Sequence, residues 1–125
     1  MRKITKESSE AFVNFDQYKK SNTEVAIKYG YSSSDEIARF YLHGNFIAEI
    51  NRSKLPECRG LKSIEIDLCG WHTPTTRERI NGILDALHYD FKIAQRNHEQ
   101  VLVRMKNENQ HCYVTDSDFS YSWEP

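Results

Sequence analysis

Between Ser63 and Leu87 the apolar residues stop recurring at every second position and begin to recur once per helical turn, and this change limits the folds open to the chain. In SIEIDLCG (63–70), Ile64, Ile66 and Leu68 alternate with Glu65, Asp67 and Cys69, the pattern of a strand with one buried face. The next stretch begins GWHTPTTRERINGIL (70–84), and its Ile80, Ile83, Leu84 and Leu87 stand at i, i+3, i+4 and i+7 on one face of a helix. A strand and a helix that are each apolar on one side must bury those sides, so the expected architecture is a sheet with helices laid on it.

The rest of the chain extends this pattern. Ala11, Phe12 and Phe15, with Ser8 one turn earlier, predict a short helix over 6–15 that Thr5 caps. NTEVAIKY (22–29) alternates as a strand, and GYSSSD (30–35) breaks it. EIARFYLHGNFIAEINR (36–52) admits a helix capped by Ser34 or Asp35, but its alternation favours a hairpin. Phe40 and Leu42 then face one way and Arg39, Tyr41 and His43 the other, with Gly44 and Asn45 taking the positive φ of the turn. YDFKIAQRN, EQVLVRMK and HCYVTD read as three further strands separated by NHE and NENQ. The prediction is an α+β fold: an antiparallel or mixed sheet of about six strands with two helices packed on one face, in the order α-β-β-β-α-β-β-β. Residues 1–118 form one domain, and 119–125 an acidic-aromatic tail.

With 125 residues, 38% of them hydrophobic and 12% aromatic, the chain can build one core without disulfide staples. Its three cysteines, Cys58, Cys69 and Cys112, form no C-x-x-C pair and are expected as reduced thiols. An export signal and a membrane-spanning run are both missing from the sequence, so a soluble, intracellular protein is expected. Charge is unevenly placed: all 17 Lys and Arg lie at or before Lys106, a body of net +3, and the last 19 residues carry −4. The tail, TDSDFSYSWEP, is either a solvated terminus or a modulator of binding by the basic body.

YLHGNFIAEI, then a strand, then GWHTPTTRERINGIL resembles a family of small proteins of tailed bacteriophages. The family's pattern is L-H-G-N-x-I-A followed by G-W-x-T-x-T-T-R-x-R-x-N, and the likeness runs from Asn22 to about Phe119. The resemblance implies a phage origin, with the host cell cytoplasm as the place of action, and an α+β domain. It transfers no catalytic residue.

The second stretch carries most of the chemistry. Thr75 three residues before Glu78 suggests a capping box, with Thr76 at the first helical position and Pro74 just ahead of the cap. Arg77 and Arg79 flank the apolar stripe at a helix start, where cations oppose the macrodipole. Two explanations are open: an internal ion pair, for example with Glu65 or Asp67, or an external phosphate. Trp71 is likewise either a lid on the core or a stacking platform. A second group is expected on an open sheet face: Arg39, Tyr41 and His43, with Lys92, Ala94 and Arg96 on a later strand and Leu102, Arg104 and Lys106 on the next. Interleaved cations and aromatics would suit a single-stranded nucleic acid, and an ordinary charged sheet face is the plain alternative.

The five histidines show no metal-ligand spacing, and no nucleophile elbow, phosphate loop or dinucleotide fingerprint occurs. His43 and His72 could converge with Asp67 or Arg77 in an acid/base site, which spacing alone does not indicate. The expectation is therefore a non-enzymatic binding protein without cofactor or metal, its ligand-binding residues being Trp71, Arg77, Arg79, Arg39, Tyr41 and His43. Nucleic acid or a phosphate-bearing ligand is the first partner class, a host protein the alternative; a homo-oligomer is a third arrangement, and no membrane is involved.

Overall fold

A computed structural model describes residues 2–29, 34–53, 55, 60–71, 73–96, 99–104, 107–115 and 120–124. Helix α1 (Lys3–Val13) leads into β1 (Tyr18–Lys20), β2 (Thr23–Tyr29), β3 (Asp35–Leu42), β4 (Asn45–Ser53) and β5 (Leu61–Asp67). Helix α2 (Pro74–Ala86) follows, then β6 (Phe91–Arg96), β7 (Glu99–Arg104), β8 (Asn107–Thr115) and β9 (Ser120–Trp123). The fold is α+β, as expected, with every strand pairing antiparallel.

The described strands number nine, against about six expected, and they form two sheets: β1-β2-β3-β4-β5-β9, and β6-β7-β8. Two of the additional strands, at the ends of the large sheet, are short. β1 has three residues, too few for a period to show. β9 is made from the expected tail: Ile64 pairs with Trp123 and Asp67 with Ser120, so residues 120–123 close the sheet beside β5. NENQ, expected as a turn, begins β8.

The strand parity holds. Val25 pairs with Phe40, Phe40 with Ala48, and Ala48 with Ile66, a row of buried residues that crosses four strands on one face. Phe12 of α1 meets Phe40 edge-on, with ring centroids 5.7 Å apart, and Ile80, Ile83 and Leu84 of α2 complete the same core. Burying aromatic and branched aliphatic side chains from both layers is the main force holding helices to sheet, about 1.5–3 kcal/mol per large side chain.

The two helices approach closely where α2 carries Gly82. A Cβ built there would stand 2.5 Å from Thr5 Cγ2 and 2.7 Å from Ser9 Oγ, so only glycine allows this approach. Thr5 is thus not the cap of α1 but a buried residue within it, and Arg2 occupies the N-cap without a capping bond from its side chain to the helix. Among the described residues, no helix is long and apolar enough to cross a membrane.

Candidate binding cleft

The β3–β4 turn is built on His43 (φ +52°) and Gly44 (φ +79°); Asn45, expected at positive φ, already belongs to β4. The His43 N–H donates to the Asn22 carbonyl at 2.7 Å, and Asn22 Nδ2 lies 3.1 Å from His43 Nε2. Asn22 Oδ1 accepts from Thr23 Oγ1, so the Asn22 amide nitrogen is the donor and Nε2 the acceptor. His43 therefore sits in the turn and does not continue the row of Arg39 and Tyr41.

Just past the turn, Phe40 pairs with Ala48 but Tyr41 with Phe46, leaving Ile47 as the extra residue of a β-bulge. The bulge leaves Phe46 beside Tyr41 (centroids 6.0 Å apart), while Ile47 is buried. Across from it the chain leaves β5, turns at Cys69 (φ +53°) and Gly70 (φ +76°), and closes the turn with the Trp71 N–H donating to the Leu68 carbonyl at 2.8 Å.

Helix α2 then starts two residues earlier than the capping box predicts. Thr73 is the N-cap, its Oγ1 accepting from the Thr76 N–H at 3.2 Å, and Pro74 is the first helical residue. Proline suits that position because its missing N–H would have had no partner, and it holds the preceding residue extended, as a cap requires. A Thr-Pro pair was the available sequence signal.

Between these two turns lies a cleft of about 240 Å³. Leu42, His43, Asn45 and Ile47 line one side; Trp71, Thr73, Thr75 and Thr76 line the other. All eight come from the two stretches on which the phage-family resemblance rests. None is a carboxylate, lysine or arginine. Trp71 stands at this site 54% exposed, so it does not seal the core as a lid would. A second, more polar cleft shares His43 and is lined by Lys19, Ser21, Tyr41 and Gly44 among others.

The expected phosphate grips are placed otherwise. Arg79 is 2% exposed; its Nη1 bonds to Thr5 Oγ1 and lies 3.2 Å from Glu78 Oε1, and its Nε donates to Thr23 Oγ1 at 3.3 Å. It is an internal ion-pair partner, but of Glu78 and not of Glu65 or Asp67. Arg77 Nη1 donates to Gln95 Oε1 at 3.1 Å and to Gln100 Oε1 at 3.2 Å, which binds α2 to the second sheet. Arg39 Nε donates to Glu49 Oε1 at 2.9 Å, and its guanidinium carbon lies 5.4 Å over the Phe46 ring.

The outer sheet face carries Lys19, Lys28 and Arg39 together with carboxylates, a mixed surface and not a uniformly basic one. Register sets Arg39, Glu49 and Glu65 in one row, with Asp67 next along β5 and Glu24 on β2. Burial, then the charges of Glu49 and Asp67, push the Glu65 carboxyl above its ordinary range against the pull of Arg39. The Lys92 and Arg96 row belongs to the second sheet, and Lys92 pairs with Val103 while Ile93 pairs with Leu102. Leu102 and Arg104 hold register positions opposite Ile93 and Phe91, not opposite Lys92; Lys106 lies outside the described residues.

No acid/base set assembles from the described residues. His72 lies outside them, and Arg77 is tied to the second sheet. Cys69 is an exposed free thiol whose N–H donates to Asp67 Oδ1 and whose Sγ lies 2.7 Å from the Phe46 carbonyl oxygen. Burial and the Asp67 charge push that thiol's pKa up, away from the reactive thiolate. Among the described residues, no group of three or more His, Cys, Asp or Glu could hold a metal ion.

Fold and cleft together define a small α+β protein with a large and a small antiparallel sheet, helices on the inner face of the large one, and a cleft beside Trp71 at one end. A family model for the Kyanoviridae Gp96 protein matches residues 1–122, and the chain belongs to this family of phage proteins. Comparisons with curated proteins and with solved structures gave no match.

Proposed function

We propose that this phage protein is a non-enzymatic binding protein that acts in the host cytoplasm by docking on a partner protein through the Trp71 cleft. The observation that carries the reading is the contrast at α2: Trp71 is 54% exposed beside a cleft whose described lining holds no carboxylate, lysine or arginine, while Arg79 is buried and Arg77 and Arg39 have partners inside the fold. Nucleic-acid affinity depends on phosphate contacts from free cations, and the carboxylates of the outer face repel a phosphate backbone. An exposed tryptophan next to a small apolar recess is the usual anatomy of an anchor at a protein interface.

The reading is tested by affinity capture from phage-infected cells, with bound nucleic acid assayed in parallel and single-stranded DNA and RNA titrated at low salt. One stoichiometric protein retained by the wild type and lost with Trp71→Ala is the expected result. Salt-dependent nucleic-acid binding that is weakened by Trp71→Ala would overturn the reading and restore the nucleic-acid one.

A further inference from the structure

We infer that the segment docking at the Trp71 cleft is cationic: an apolar side chain that fills the cleft, with lysine or arginine beside it that settles on the carboxylate row of the outer sheet face. The inference rests on the cleft being the docking site and adds the chemistry of the partner.

Three observations carry it. The outer face of the large sheet is open among the described residues, because the buried residues of β2 to β5 and both helices lie on the other side. Across that open face, β4 and β5 set Glu49 directly opposite Glu65, with Asp67 following on the same side of β5. Like charges in direct register destabilise a sheet, and folding gains nothing from them. Arg39 is already engaged by Glu49 at 2.9 Å, whereas Glu65, half-buried, has no hydrogen bond or ion pair among the described residues. A half-buried carboxylate in that state is stabilised by an incoming cation.

The third observation is continuity. The strands that carry the carboxylates also form the cleft: β4 begins at Asn45, which lines it, and β5 leads from Glu65 and Asp67 through the Cys69–Gly70 turn to Trp71. Cys69 fixes the junction, its N–H donating to Asp67 Oδ1 at 2.7 Å and its Sγ lying 2.7 Å from the Phe46 carbonyl oxygen. The described lining of the cleft holds no carboxylate, and the adjoining strands carry Glu49, Glu65 and Asp67, so one docking segment meets an apolar recess and then a negative row. Phosphate-bearing partners are disfavoured by that row; basic peptides are favoured.

Selection of a random dodecapeptide library on the full-length protein tests this and does not require the partner to be identified first. Enriched peptides should combine a bulky apolar residue with neighbouring Lys or Arg. Their affinity should fall about tenfold or more for Trp71→Ala, several-fold for Glu65→Gln/Asp67→Asn, and several-fold on raising salt from about 50 to about 300 mM. The amide variants keep side-chain size, and Asn at 67 retains the oxygen that accepts from Cys69. Peptides that need Trp71 but show no basic bias and no salt dependence would overturn the inference and leave the cleft as the docking site. Peptides indifferent to Trp71→Ala, or no enrichment at all, would overturn both.

Discussion

Asn81 of α2 grips the edge of β6 at Ile93 with both atoms of its amide. Its Nδ2 donates to the Ile93 carbonyl at 2.9 Å, and its Oδ1 accepts from the Ile93 N–H at 2.7 Å. The side chain does what a neighbouring strand would do, and it does so on the side of β6 turned away from β7. An unpaired edge invites pairing with another chain, so this clamp both joins α2 to the second sheet and shields that edge. Replacing Asn81 with Ala should cost about 2–3 kcal/mol, from two lost hydrogen bonds and the backbone groups left behind. Asn81→Asp, which keeps the acceptor but sets a carboxylate oxygen against the Ile93 carbonyl, should cost at least as much. Urea unfolding gives the energies, and light scattering should show self-association growing in the Ala variant.

The start of α2 makes opposite predictions for two neighbouring threonines. Thr73 caps the helix, whereas Thr75 Oγ1 makes only a long contact of 3.4 Å with Arg2. Thr73→Ala should therefore lose about 1 kcal/mol and Thr75→Ala less than about 0.5 kcal/mol. Equal losses in chemical denaturation would contradict the assignment of the cap.

Gly82→Ala should destabilise the protein even though alanine is the better helix former by about 1 kcal/mol. The added methyl meets Thr5 Cγ2 and Ser9 Oγ, and Thr5 cannot rotate away without breaking its bonds to Glu78 and Arg79. A net loss of about 1–3 kcal/mol is expected. Adding Thr5→Ser, which removes the clashing methyl and keeps the hydroxyl, should recover part of it in thermal unfolding.

Glu78 supplies an acid limb to the stability profile. Burial pulls its pKa up, but the hydrogen bonds from Thr5 and Arg2 and the charges of Arg2 and Arg79 outweigh that and hold it below the usual carboxylate range. Because the folded pKa is depressed, the stabilisation is fully present above the unfolded value, about 4.3 for Glu, and is lost as pH falls through the folded one. Urea midpoints measured from neutral pH downward should drop in that window for the wild type. The drop should be smaller for Glu78→Gln, which starts lower at neutral pH.

The inward residues of β3 and β5 and the apolar stripe of α2 were legible in the sequence because burial imposes a strict period on them: Phe40, Ile64, Ile66, Leu68, Ile80, Ile83 and Leu84 are all buried. The role of Arg79 was not legible. A helical wheel puts it at the edge of the stripe, but its partners Thr23 and Thr5 lie 56 and 74 residues away, and only the helix–sheet contact brings them together. Ile47 was hidden for a related reason, since a bulge shifts the period by one residue and moves it to the buried side. The division into two sheets, with Asn81 on the β6 edge, is expressed by no local pattern. β9 carried a signal that charge obscured: Ser and aromatic residues alternate in SYSW within a segment whose acidity suggests a loose tail.

What the cleft reading requires above all is that Trp71 is held out for a partner and is not a support of the fold. The unfolding free energy of Trp71→Ala, from urea denaturation at neutral pH, tests this directly. A loss of about 1 kcal/mol or less is predicted, as for a surface substitution. A loss near the roughly 3–5 kcal/mol typical of a buried aromatic would contradict it and return Trp71 to the core.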